Sequence, residues 1–141
     1  PVLAKDRGVD VQLLTDESSD DHRTLLRVKL TQTNGNTISV AGTVSGTKNA
    51  AKLVDVDGYD IDVPISEHML VFRYPDKPGV VGTVGNLLGE AGVNIGGMQV
   101  SRDEAKNAVI VLTVDSAVSA DQVEAISANI GASSGRAIDL V

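Results

Sequence analysis

Apolar residues alternate with polar ones through the first half of the chain, and the rhythm changes near residue 66. Leu26, Val28 and Leu30 alternate before "TQTNGN", and Ile38, Val40 and Val44 alternate after it, the period-two signature of two strands. A two-residue Asn34-Gly35 turn would put the two apolar sets on opposite faces of the hairpin. An odd loop puts them on one face, so the pattern predicts a three-residue loop, Asn34-Gly35-Asn36, with a bulge and a positive φ at Gly35 or Asn36. "KLVDVDGYDIDV" predicts a second hairpin on a two-residue Asp57-Gly58 turn. It would pair Val56 with Tyr59 and Val54 with Ile61. Asp55 and Asp60 would then oppose each other on a solvated face, because like charges repel there. "VDVQLLT" (Val9 to Thr15) reads as an earlier strand, and "DESSDD" (Asp16 to Asp21) as a polar loop.

After Glu67 the spacing alternates between periods. "HMLVFRY" is a strand. Gly79 to Ala91 carries Val80, Val84, Leu87, Leu88 and Ala91 at helical spacing. "VNIGGMQVS" is a strand, and "NAVIVLTV" is apolar on successive residues, which predicts a central strand buried on both faces. "SADQVEAISANIG" is a second helix with a Ser119/Gln122 capping box, a buried face of Val123, Ile126 and Ile130, and Gly131 as C-cap. "GRAIDLV" closes the order β-α-β-β-α-β. The expected fold class is α+β: a ferredoxin-like unit over residues 67–141, preceded by a small antiparallel β-rich segment over residues 1–66.

Composition narrows the function. The 141 residues carry a net charge of -7, and only one Phe, two Tyr and no Trp. An acidic surface repels phosphate backbones and offers few stacking rings, so nucleic acid is not an expected partner. No cysteine is present, which removes disulfides, thiolate metal sites and a cysteine nucleophile and fits a cytoplasmic protein. No apolar run approaches the length of a membrane span. The chain opens at Pro1 without an initiator Met, so a longer parent protein is expected.

Enzyme motifs are missing. Gly82, Gly85, Gly89 and Gly92 are spaced for a helix face and not for a phosphate loop, and close helix packing is expected of them. "DVDGYDID" has its glycine at the wrong place for a calcium loop, and a hairpin is the plainer reading. His22 and His68 have no neighbours that would assemble a catalytic site, and no metal ligand set is expected.

The stretch "YPDKPGVVG" (Tyr74 to Gly82) is different. Pro78 biases Lys77 toward extended backbone and suits the start of a helix. Free N–H groups with partial positive charge should face outward there, a place for a carboxylate. Gly79 lets a ligand approach the backbone, and Asp76 could receive an ammonium group. An anion cradle beside a carboxylate suits an α-amino acid. The alternative from spacing alone is that Asp76 only caps the helix.

"DKPGVVGTVGNLLGEAGVNI", followed by two strands and a second helix, resembles an ACT domain, a small regulatory module that binds amino acids. "PVLAKDRGV", "TVSGT" and "LVDVDGYDIDVP" resemble the intervening domain of long-form phosphoglycerate dehydrogenase. The resemblance implies a regulatory region without catalytic residues, part of an NAD-dependent oxidoreductase of serine biosynthesis, with its nucleotide domains and about half of the intervening domain absent. No cofactor is implied for this chain. It implies feedback inhibition by L-serine bound between two ACT domains, at a site of Tyr74, Asp76, Lys77, Pro78, Gly79, Val80, Asn94 and Ile95, with Asn94 reaching the ligand from the partner chain, and hence self-association. It also implies a second anion site, for which Arg7 and Lys52 are the basic candidates. Asp60 and Pro64 stand where relatives can carry His and Arg, which argues against a strongly anionic effector.

Two rival readings remain: an assembly module that binds no ligand, and an enzyme in its own right. The apolar face of Leu26, Val28, Leu30, Ile38, Val40 and Val44 is expected to be covered, either by the chain's own ACT unit or by a second chain.

Overall fold

The computed structural model describes residues 2–15 and 24–140. The "DESSDD" loop and His22 fall outside them. A short helix, α1 (Val2–Asp6), opens the described chain. The strand expected over Val9–Thr15 is not formed, and that segment has no regular structure. Alternation alone does not make a strand: backbone N–H and C=O groups need a ladder partner, and neither sheet includes this segment.

The first sheet is an antiparallel meander of β1 (Leu25–Thr31), β2 (Thr37–Ser45), β3 (Ala50–Val56) and β4 (Tyr59–Pro64), in that order. Val28 opposes Val40 and Leu30 opposes Ile38, so both apolar sets lie on one face. The Gln32 N–H donates to the Asn36 carbonyl at 2.8 Å, which leaves a three-residue loop of Thr33, Asn34 and Gly35, one residue earlier than expected. Gly35 takes the positive φ, at 85°.

The β3–β4 turn has Asp57 and Gly58 both at positive φ, 51° and 86°, and pairs Val56 with Tyr59. Val54 does not pair with Ile61: the register shifts between Leu53 and Asp55, so Leu53 opposes Val63. Asp55 does oppose Asp60, but Asp55 is not simply solvated. Its carboxylate is 3.2 Å from Arg27 Nη1, and it accepts a 3.1 Å bond from the Gly58 N–H. A cation and a turn amide thus offset the repulsion from Asp60.

The second sheet contains β5 (His68–Pro75), β6 (Ile95–Arg102), β7 (Asn107–Val114) and β8 (Ser134–Asp139), ordered β6-β7-β5-β8 and wholly antiparallel. With α2 (Val80–Glu90) after β5 and α3 (Ala120–Ile130) after β7, this is the ferredoxin-like α+β unit. Successive residues of β5 divide between two cores. Leu70, Phe72 and Tyr74 join Val84, Leu88, Ile126 and Ile130 under the helices. Met69 joins Val109 and Val111 beneath Val56, Tyr59, Ile61 and Val63 of the meander. The meander therefore covers the sheet face that the helices leave open. That explains why β7 is apolar on both faces.

The capping box at Ser119 and Gln122 and the left-handed Gly131 C-cap (φ 69°) end α3 as expected. Replacing Ser119 by alanine removes the acceptor for the Gln122 N–H and is expected to lower stability by about 1 kcal/mol, read from the urea midpoint. Ala91, the C-cap of α2, is exposed, and the helix buries Val80, Val84 and Leu88. Glycines 82, 85 and 89 meet nothing within 4 Å of where a Cβ would stand. The close packing expected of them is not made among the described residues.

The apolar face of the first hairpin is open. Leu26, Val28, Leu30, Ile38, Val40 and Val44 are all exposed. Val40 opposes Val56, so this face continues the one that packs on the second sheet. β1 and β2 overhang it, and among the described residues the ACT-like unit does not cover them.

Candidate functional site

The backbone between β5 and α2 sets the geometry of the "YPDKPGVVG" stretch. Asp76 N–H donates to the Lys106 carbonyl at 2.8 Å, which ties the end of β5 to the β6–β7 turn. Pro78 and Gly79 make the turn, and α2 begins at Val80 with Gly79 as N-cap in the left-handed region (φ 88°). A side chain at Gly79 would be strained there. No side chain caps α2. Asp76 is therefore not a cap, and the first-turn N–H groups keep their outward character.

Asp76 has another partner. Its Oδ2 lies 3.0 Å from Arg102 Nε, at the end of β6. Tyr74 stands beside them with its ring in the helix-side core. Burial, then the charge of Asp76, push the Tyr74 phenol above its usual range, while Arg102 pulls it back. Lys77 Nζ lies 3.6 Å from where a Cβ on Gly131 would stand, beside the C-terminal end of α3, where a cation is favourable.

Tyr74, Asp76, Lys77, Pro78, Gly79 and Val80 are thus contiguous at one end of α2. Asn94 and Ile95 lie beyond its other end. Its 11 residues separate the two groups by about 16 Å. Asn94 N–H donates to Asp115 Oδ1 at 2.9 Å, and the residue is exposed. Arg102 was not among the sequence candidates. It sits in a polar hairpin, "SRDEAKN", and only strand pairing brings it to Asp76.

The two basic candidates for an anion site are not joined by any ion pair or hydrogen bond among the described residues. Arg7 follows α1 and is exposed, and Lys52 Nζ is 2.9 Å from Asp62 across β3 and β4.

On the opposite sheet face a cleft of about 350 Å³ is lined by the β3–β4 turn, Arg73 and the end of β6. Two pairs of its polar groups are engaged with each other, and Arg102, the partner of Asp76, lines it as well. The Tyr59 hydroxyl donates to Asp103 at 2.7 Å, and Arg73 Nη1 is 3.3 Å from Asp57 with its guanidinium 5.8 Å over the Tyr59 ring. The bond from Tyr59 holds the Asp103 carboxyl below its usual range, helped by the backbone N–H of Asn107, and the same bond raises the Tyr59 phenol. A lowered carboxyl contributes fully above its unfolded value and loses that contribution as pH falls through its folded one. This cluster fastens the meander to the sheet.

The second sheet and its helices form a βαββαβ unit with an uncapped, glycine-led helix start after its first strand. Residues 68–130 match the ACT domain family. Residues 1–57 match the D-3-phosphoglycerate dehydrogenase intervening domain. The chain is 38% identical to a D-3-phosphoglycerate dehydrogenase of Mycobacterium leprae over 141 residues, covering 99% of this chain and 27% of the relative. It is 35% identical to the Synechocystis enzyme over 81% of this chain and 20% of the relative, and 30% identical to the Bacillus subtilis enzyme over 80% and 21%. The chain thus carries part of an intervening domain followed by an ACT domain, a regulatory fragment similar to that of the D-3-phosphoglycerate dehydrogenases. It spans about a quarter of the length of the relatives it matches and includes no catalytic domain.

Proposed function

We propose that this region senses an α-amino acid, L-serine first, at two equivalent sites between paired ACT domains, and so feeds back on an NAD-dependent dehydrogenase outside this sequence. NAD would belong to that catalytic part and not to this chain. Self-association is part of the reading, as is a cytoplasmic setting; no nucleic acid or membrane partner is proposed. Among the described residues no helix is long and apolar enough to cross a membrane.

The observation that carries the reading is Asp76 beside an α2 start that no side chain caps. The ammonium of the ligand would meet Asp76, and its carboxylate the first-turn N–H groups. Asn94 cannot join from the same chain, but pairing geometry supports its joining from another. Among the described residues β6 is an edge strand with one hydrogen-bonded neighbour, β7. Two β6 strands paired antiparallel about a two-fold axis bring the Ile95 end of one to the Arg102 end of the other. Asn94 of one copy then approaches Asp76 of the other, twice. The open glycine face of α2 leaves room for a second helix alongside, and an unpaired edge is a surface proteins pair or protect.

Light scattering at high micromolar concentration is expected to give a dimer, with and without L-serine; a monomeric mass in both conditions would count against the pairing. Calorimetry should show heat with L-serine, less with glycine and none with 3-phosphoglycerate. No heat with L-serine would leave the assembly module without a ligand as the better reading.

A further inference from the structure

Resting on the amino-acid reading above, we propose that Arg102 determines ligand specificity by occupying Asp76 in the empty site, so that a ligand bearing both an ammonium and a carboxylate opens the pair best. Arg102 is the last residue of β6 and opposes Ala108 of β7, whose side chain belongs to the helix-side core. Its Nε reaches Asp76 Oδ2 at 3.0 Å, with the Asp76 side chain 29% exposed and that of Arg102 59% exposed. The guanidinium thus stands where the ammonium of an amino acid would have to go.

The charges decide the outcome. A simple amine that takes Asp76 strands Arg102 without its carboxylate. A simple acid finds the helix start but has nothing to offer Asp76, which stays with Arg102. A zwitterion inserts into the pair: its ammonium replaces the guanidinium on Asp76, and its carboxylate faces both the α2 N–H groups and the released guanidinium. No charge is left over. The pair is half exposed, so opening it costs little. Arg102 therefore acts as an internal competitor that biases the choice of ligand without closing the site.

The test compares L-serine with ethanolamine, which keeps the ammonium and hydroxyl and lacks the carboxylate, on the wild-type chain and on Arg102→Gln and Arg102→Lys. Ethanolamine is followed by displacement of L-serine in calorimetry, and circular dichroism checks that the exposed substitutions leave the fold intact. In Arg102→Gln ethanolamine should bind about threefold to fivefold tighter, while L-serine is unchanged or weaker, so the serine-to-ethanolamine ratio contracts. Arg102→Lys keeps the charge and should keep the wild-type ratio. General loosening of the hairpin would weaken both ligands together and leave the ratio unmoved. Serine binding in the wild type with ethanolamine no tighter in Arg102→Gln overturns the role of Arg102 alone. No serine binding by the wild type overturns this role together with the amino-acid reading.

Discussion

Asp76→Ala is expected to weaken L-serine binding by about 1.5–3 kcal/mol, roughly tenfold to more than a hundredfold, because it removes a charge-assisted hydrogen bond to the ligand ammonium. The effect should exceed the loss of a surface ion pair, since Asp76 caps no helix N–H and its partner in the empty site is the half-exposed Arg102. Exposed pairs of that kind contribute at most about 1 kcal/mol, so stability should change little while affinity falls. Asn94→Ala is expected to weaken binding as well, through loss of an amide that both donates and accepts. In a dimer each site would lose a group from the opposite copy. Calorimetry on both variants decides the assignment: serine binding unchanged in both would remove these residues from the site.

Phe72→Ala is expected to cost about 3–5 kcal/mol of stability, the range for truncating a fully buried aromatic. Phe72 is 0% exposed. It lies on β5, between β7 and β8, with Ile110 and Gly135 as its cross-strand neighbours. A Cβ on Gly135 would stand 2.8 Å from the Phe72 ring, so β8 is fitted against that ring without slack. The void left by alanine cannot be filled by a side chain from Gly135. A urea-midpoint shift below about 1 kcal/mol would mean that α3 and β8 collapse onto the gap, against the packing described here.

β5 and β7 of the second sheet contribute side chains to both cores. The meander is held to the ACT sheet by apolar contact and by the Tyr59–Asp103 and Arg73–Asp57 cluster. Asp103 directly follows Arg102 in the chain. The proposed effector site on the helix face and the fastening of the meander on the other face therefore meet at the end of one strand.

Much of this was legible in the sequence because it is local. The helix α3 carries its own start and stop in Ser119, Gln122 and Gly131, and short-range hydrogen bonds execute them. The β1–β2 hairpin was constrained by parity: any odd loop unites its apolar faces, and the left-handed requirement fell to Gly35. β7 declared its central place by its unbroken apolar run from Ala108 to Leu112. The helix start after Pro78 was visible too, since Pro and Gly fix backbone conformation through their own covalent geometry.

Other features needed the tertiary structure. Val9–Thr15 has the alternation of a strand, but no neighbouring strand supplies a ladder. The bulge near Val54 changed the pairing: it sets Leu53 opposite Val63, and Leu53 packs against the core of Tyr59, Ile61 and Val63. Asp55 gained Arg27 from a strand 28 residues away, which spacing cannot foretell. Arg102 met Asp76 for the same reason: β6 runs back beside β7, and the turn that follows it lies against the end of β5. The sequence by itself determined the two long helices and the hairpins, because those depend on neighbours a few residues apart. Spacing left open whether Asp76 caps α2; its pairing with Arg102 decided that. The tertiary structure alone decided which charges meet and which apolar faces are covered, because both depend on the distance between segments far apart in the chain.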